Sequence, residues 1–179
     1  MTTHEGQDHE WLKGFIRDIP DWPKAGVVFK DITPLLGDKE AFPYTIDVIA
    51  EHFGGTEIDK VLGVEARGFI VAAPIAYRFR AGLVPVRKAG KLPWEIESQE
   101  YELEYGSELL EMHRDAITPG ERILIVDDVL ATGGTAEAAA SLTRRCGGRV
   151  AGIATIMELT FLKGRHRLSE HEVFSLISY

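Results

Sequence analysis

The chain has 179 residues, 45% hydrophobic and 27% charged, the proportions of a soluble globular protein long enough to bury one sizeable core. Its formal net charge of −8 weighs against a general nucleic-acid binder, which carries a basic excess, but is compatible with a small anion held by a local basic loop. Cys146 is the only cysteine, so an intrachain disulfide is excluded. No apolar run approaches the roughly 20 residues that span a bilayer, and a cytoplasmic protein without membrane contact is expected.

Trp11, Phe15, Ile16 and Ile19 fall at helical spacing and predict an amphipathic helix over 8–19, stopped by Pro20, Pro23 and Gly26. Phe42, Ile46, Ile49 and Phe53 predict a second helix, closed by Gly54 and Gly55. Apolar strands then alternate with helices: strand over 60–64, helix over 69–79, strand over 83–86, strand over 122–126, helix over 134–145, and strands over 150–157 and 173–177. Pro85 suggests that its strand is an edge or begins there. The alternation predicts an α/β fold, a central and mostly parallel twisted sheet flanked by helices. Residues 89–115 break the pattern. They are rich in glutamate and tyrosine, and the alternation at Tyr101–Tyr105 suggests a hairpin in a lid or binding loop without core character.

The stretch from Ile123 to Thr135 carries the most chemistry. A buried strand runs into Asp127 and Asp128, and an Ala131-Thr132-Gly133-Gly134-Thr135 turn leads into the next helix. Such a turn at a strand's carboxyl end presents backbone N–H groups and a helix N-terminus to an anion. Two carboxylates would repel a phosphate, so they need a different partner. The vicinal hydroxyls of a sugar suit them, directly or through a metal ion. A strand followed by a capped polar turn explains any one Asp pair, but not the whole thirteen-residue pattern. The P-loop and the G-x-G-x-x-G fingerprint are both absent, which excludes the usual nucleotide-binding alternatives. Among the six histidines none has a metal-ligand spacing, so no protein-ligated zinc is assigned.

This stretch resembles the phosphoribosyl pyrophosphate signature of the phosphoribosyltransferase family. Four further stretches, in order and spacing, resemble the adenine-specific branch: Pro23–Ile32, Glu65-Ala66-Arg67-Gly68-Phe69, Arg87-Lys88-Ala89-Gly90-Lys91-Leu92-Pro93, and Leu103-Glu104-Tyr105-Gly106. The resemblance covers about residues 15–179 and implies a type I phosphoribosyltransferase fold. It implies one domain over 1–179, with an N-terminal hood over 1–34 and a flexible lid over 88–115. By the same resemblance, Ala131, Thr132, Gly133, Gly134 and Thr135 hold the 5′-phosphate, and Asp127 and Asp128 the ribose hydroxyls. Arg67, Arg87, Lys88 and Lys91 face the pyrophosphate, and the loop before Arg67 contains a cis peptide between Glu65 and Ala66. Val28, Phe29, Lys30 and Leu159 border adenine. Many relatives have arginine where Lys30 stands, so a backbone contact is the expectation there. Glu104 is the catalytic residue that exchanges a proton at N7 of the base, and Tyr105 stacks or closes the lid beside it.

The implied reaction joins adenine to phosphoribosyl pyrophosphate with Mg²⁺ held mainly by the substrate and no direct protein ligand. The implied assembly is a homodimer, with no nucleic-acid partner. Two other readings compete: transfer to a different purine, and a non-catalytic regulator that senses phosphoribosyl pyrophosphate.

Overall fold

Strands of a sheet covered on both faces are apolar on both faces, and that property arranges this chain. The computed structural model describes residues 8–102 and 107–179, Glu102 in its backbone alone. After a 3₁₀ helix over Glu10–Phe15, Arg17–Pro20 (β1) pairs antiparallel with Val28–Asp31 (β2) in a separate two-stranded sheet. The helix expected over 8–19 is therefore a short 3₁₀ turn. Ile16 leaves it in an extended conformation, and residues 17–20 gain a ladder partner instead. Leu12 and Ile16 are buried all the same, so the apolar spacing marked burial rather than a long helix.

Thr33–Gly37 (α1) and Ala41–His52 (α2) follow, then Lys60–Val64 (β3), Arg67–Phe79 (α3) and Gly82–Lys88 (β4). Ile96–Glu102 (β5) and Ser107–His113 (β6) form a hairpin. Arg122–Leu130 (β7), Gly134–Arg145 (α4), Arg149–Glu158 (β8) and Val173–Ser178 (β9) complete the chain. The seven strands lie in the order β5-β6-β4-β3-β7-β8-β9. Those from β4 to β9 are parallel to their neighbours, and the hairpin joins antiparallel along β4. β6 pairs with β4 only at Arg87 and Lys88. Pro85 therefore sits where the far side of β4 has no strand partner, a place that tolerates a missing N–H.

Alternate residues of β7 feed two cores. Leu124 and Val126 pack with Ile49 of α2 and Val71 and Ile75 of α3, while Ile123 and Ile125 pack with Ala139 and Leu142 of α4. These side chains are all fully buried, each contributing about 1.5–3 kcal/mol where the side chain is Val, Leu or Ile. The hairpin corrects the reading of 89–115 as lacking core character. Tyr101, Leu110 and Met112 are buried in the core under α4. Among the described residues no helix is long and apolar enough to cross a membrane.

Candidate active site

Parallel strands deliver their carboxyl ends to one edge of the sheet, where an open α/β fold binds its ligands. Here β3 ends at Glu65-Ala66-Arg67, β4 at Lys88, β7 at the Ala131–Thr135 loop and β8 at Leu159.

The strand expected to stop at Val126 continues through both aspartates to Leu130, paired with β8 as far as Leu130 opposite Glu158. The two carboxylates are thus fixed by a sheet ladder rather than carried on a turn. After them the chain turns at Gly133, whose φ of +81° is open to glycine and strained for other residues, and enters α4. Asp127, Val129 and residues 130–136 line a cavity of about 100 Å³ at the mouth of that helix. Thr132 is exposed and Thr135 half-buried, placing two hydroxyls beside backbone N–H groups and a positive helix end.

Asp128 is only 4% exposed, and its Oδ2 lies 2.8 Å from Nη2 of Arg67. Asp127 Oδ1 accepts the N–H of Asp128 at 2.9 Å. Burial pushes both carboxyls above their ordinary range. The neighbouring Asp128 raises Asp127 further, while Arg67 draws Asp128 back down. Arg67 also joins the site to the N-terminal hairpin. Its Nη1 donates to the Lys30 carbonyl at 3.4 Å, and its guanidinium lies 4.7 Å from the Phe29 ring centroid.

The Glu65–Ala66 peptide is cis, as the resemblance implied. The Glu65 carboxylate gathers the second basic loop. It accepts the Lys88 N–H at 3.0 Å and the Arg87 Nε–H at 3.3 Å, and pairs with the Lys91 ammonium. Burial raises this carboxyl, but the Lys91 and Lys88 hydrogen bonds and the cationic charges outweigh it and leave it below its usual value. Lys88 Nζ pairs with Glu108 at 2.9 Å. The three cations of this loop, out of the four assigned to pyrophosphate, are thus brought together, each already facing a carboxylate.

On the hood, Val28 is exposed and Phe29 half-buried, with Trp22 edge-on to the Phe29 ring at 4.3 Å. The Lys30 ammonium turns to Asp18 at 2.7 Å and lies over the Tyr179 ring at 3.9 Å, leaving its carbonyl toward Arg67. Leu159, half-buried just past β8, donates its N–H to the Leu130 carbonyl at 2.9 Å.

The phosphoribosyl transferase domain family matches residues 44–177 of this chain. The adenine phosphoribosyltransferase of Thermobifida fusca is 59% identical over 162 residues, covering 90% of this chain and 92% of the relative. The chain belongs to the adenine phosphoribosyltransferases. The enzyme of that name from Acidobacterium capsulatum is 55% identical over 170 residues, 95% of this chain and 94% of its own. The crystal structure of the Thermoanaerobacter pseudethanolicus enzyme superposes with a TM-score of 0.93 at 52% identity, covering 96% of this chain and all of that one. The Saccharomyces cerevisiae enzyme, complexed with an imino-altritol bisphosphate and adenine, gives 0.88 at 40% identity over 94% of this chain and 97% of its own.

For an adenine phosphoribosyltransferase, the described residues leave two of the assigned positions unplaced: Glu104 and Tyr105 lie outside them. Three features of the site went unannounced in the sequence. Glu65 enters the sequence pattern only as half of a peptide bond, yet it organises the basic loop. Gly68 packs so closely that an added Cβ would sit 2.9 Å from Asp127 Oδ1 and 3.0 Å from the Val126 carbonyl. Tyr101 donates to Glu108 at 2.9 Å, and burial together with Glu108 pushes its phenol up to about 12. The alternation of tyrosine with glutamate from Tyr101 on is the only available signal for it.

Proposed function

We propose that this chain transfers the phosphoribosyl group of phosphoribosyl pyrophosphate to N9 of adenine, giving AMP and pyrophosphate for purine salvage. The single observation that carries this reading is Arg67. It touches Asp128 on β7, the Lys30 carbonyl and the Phe29 ring at once, so the sugar site, the pyrophosphate site and the hood meet at one guanidinium. In this reading the 131–135 loop and the α4 N-terminus hold the 5′-phosphate. Asp127 and Asp128 accept hydrogen bonds from the ribose hydroxyls. Arg67, Arg87, Lys88 and Lys91 neutralise the pyrophosphate as its bond to C1′ breaks and N9 attacks the opposite face. Val28, Phe29, the Lys30 backbone and Leu159 border the base. Glu104 exchanges its proton at N7, and Tyr105 helps the lid exclude water.

Mg²⁺ belongs to this reading. The hard oxygens at the site are those of Asp127 and Asp128, and no group of three or more His, Cys, Asp or Glu among the described residues is arranged to hold a metal ion. This donor set fits a hydrated ion carried by substrate oxygens, with the aspartates meeting the ribose hydroxyls and its water. Bound there, the ion would supply charge neutralisation to the departing pyrophosphate.

Ile70 and Tyr77 stand seven residues apart on α3, hence on one face, 47% and 84% exposed. This apolar face supports a homodimer, and a solution mass near 20 kDa by light scattering would overturn it.

The deciding experiment supplies phosphoribosyl pyrophosphate and Mg²⁺ with adenine, hypoxanthine, guanine or xanthine in separate reactions. AMP from adenine alone is expected. Turnover of another base would keep the phosphate site and overturn the reading of the hood, and binding without turnover would indicate a regulator. For Glu104→Gln, kcat is expected to fall well beyond about tenfold, within the 10²–10⁴ range of acid–base catalysis.

A further inference from the structure

We propose that the segment 160–168 is a brace for the phosphate loop, and that Gly164 is a positioning residue for binding the 5′-phosphate. The proposal rests on the reading that residues 131–135 hold that phosphate.

After β8 the chain forms two short 3₁₀ helices, Thr160–Leu162 and Gly164–Leu168, joined at Lys163 with a φ of +55°. Gly164 is buried directly against the loop. A Cβ on Gly164 would overlap the Ala131 carbonyl oxygen and stand 2.8 Å from the Gly133 nitrogen. Reciprocally, a Cβ on Gly133 would stand 2.5 Å from the Gly164 carbonyl oxygen. The two backbones are therefore packed face to face, with no side chain between them that could rotate away. Gly164 touches the loop but does not line the cavity that the loop encloses. Its influence on a bound phosphate would pass through the loop's shape.

A brace must be held more firmly than the part it supports, and this one is tied at both ends. Arg165 straddles Glu158, with Nη2 at 2.6 Å and Nε at 3.1 Å from Oε2, and its Nη1 donates to the Val173 carbonyl at 2.6 Å. Glu158 is only 5% exposed and lies opposite Leu130, the last residue of β7 before the loop. The Thr160 hydroxyl donates to the Tyr179 carbonyl at 2.6 Å, and Leu168 is buried in the core beside α4. One end of the brace is thus fixed to the same pair of strands that launches the loop. With the segment tied down, an added Cβ at Gly164 displaces the loop instead. A shift of order 1 Å in a positioning element costs about 10²-fold where the geometry is used for binding or reaction.

The test compares Gly164→Ala, Arg165→Lys and, as a reference inside the loop, Thr135→Val. For each, KM is measured for phosphoribosyl pyrophosphate and for adenine, with ribose 5-phosphate as competitor and the melting temperature recorded. Gly164→Ala is expected to raise KM for phosphoribosyl pyrophosphate and Ki for ribose 5-phosphate by about tenfold or more, and to change KM for adenine less than about threefold. Arg165→Lys keeps the charge but loses the fork, so it should shift the same two constants in the same direction by a smaller factor. It also reports on the brace if Gly164→Ala does not fold. A lower melting temperature with unchanged phosphate constants would reduce Gly164 to ordinary packing and overturn the proposal. If Thr135→Val weakens ribose 5-phosphate and neither brace variant does, the brace alone fails. If Thr135→Val also leaves it unchanged, the reading of the loop fails with it.

Discussion

Two loops at the same sheet edge are assigned to the two ends of one substrate, and they are built on opposite principles. The 131–135 loop is held by backbone: a left-handed Gly133, a helix N-terminus and the close approach of Gly164. The 87–91 loop is held by charge: Glu65 gathers Arg87, Lys88 and Lys91, and Glu108 takes the Lys88 ammonium. A site fixed by shape is pre-organised and has little to rearrange when the phosphate arrives. A site fixed by ion pairs must exchange carboxylates for pyrophosphate oxygens, so its affinity is a difference between two electrostatic states. This division suits a reaction in which the phosphate stays bound and the pyrophosphate must leave.

The comparison is broken most severely at the shape-built loop. Gly133→Ala places a methyl group 2.5 Å from the Gly164 carbonyl at a φ of +81°, so strain and collision coincide. A loss of about 10²-fold or more in kcat/KM for phosphoribosyl pyrophosphate is expected, with about 1–3 kcal/mol of stability. Because the cause is steric, added salt should not restore it. Partial recovery at higher ionic strength would mean that the loop is governed by charge after all.

Arg67→Ala comes next, since Arg67 serves both halves of the site. Removing it leaves Asp128 buried without a cation, a loss discounted to about 2 kcal/mol because a third of the Arg67 side chain is exposed. We expect about 10²-fold lower kcat/KM, from loss of the donor proposed to face the pyrophosphate and of the tie to Lys30. Kinetics close to the parent would detach the hood from the sugar site.

What the sequence makes legible follows the same division. Asp127, Asp128 and Thr132 to Thr135 fall close together in one short stretch, and the chemistry assigned to them requires those residue types at that spacing. The basic residues at 87–91 stand out in an acidic chain. Packing between distant segments is not legible in this way. Nothing near Gly164 in sequence says that it rests on Ala131 and Gly133, and nothing near Gly68 says that it abuts Asp127. The helix expected over 8–19 failed for a related reason, because residues 17–20 find their partner at 28–31 across a turn. The polar hairpin concealed Leu110 and Met112 because its charged side chains outnumber those that reach the core.

Asp127→Asn separates function from stability. Burial and the charge of Asp128 raise Asp127 well above its ordinary 3.8, so the ionised form costs stability as pH climbs from that value to the raised one. Asparagine keeps an oxygen for the Asp128 N–H and removes the charge. The variant should melt higher at neutral pH, by about 2–4 °C for each kcal/mol relieved, while kcat/KM falls about 10–100-fold. The difference in melting temperature should shrink as the pH approaches 4, where the parent carboxyl is also neutral. A variant that melts lower at pH 7 would show that the pair is held by a compensating charge stronger than Arg67.

The smallest effect is expected at the charge-built loop, and its sign is the informative part. Glu65→Gln retains an acceptor for the Lys88 N–H but releases Arg87 and Lys91. The Glu65 carboxyl lies below its ordinary value, so it stabilises the fold above that value and loses the contribution as pH falls through the lowered one. With partners 35–45% exposed, the loss at pH 7 should be about 0.5–1 kcal/mol. If Glu65 competes with pyrophosphate for these cations, KM for phosphoribosyl pyrophosphate should fall by about threefold at low salt, and the advantage should fade as salt screens the freed charges. A KM that rises instead would mean that Glu65 aligns the cations for the ligand. The basic loop would then be as pre-organised as the phosphate loop, one held by carboxylates and the other by backbone.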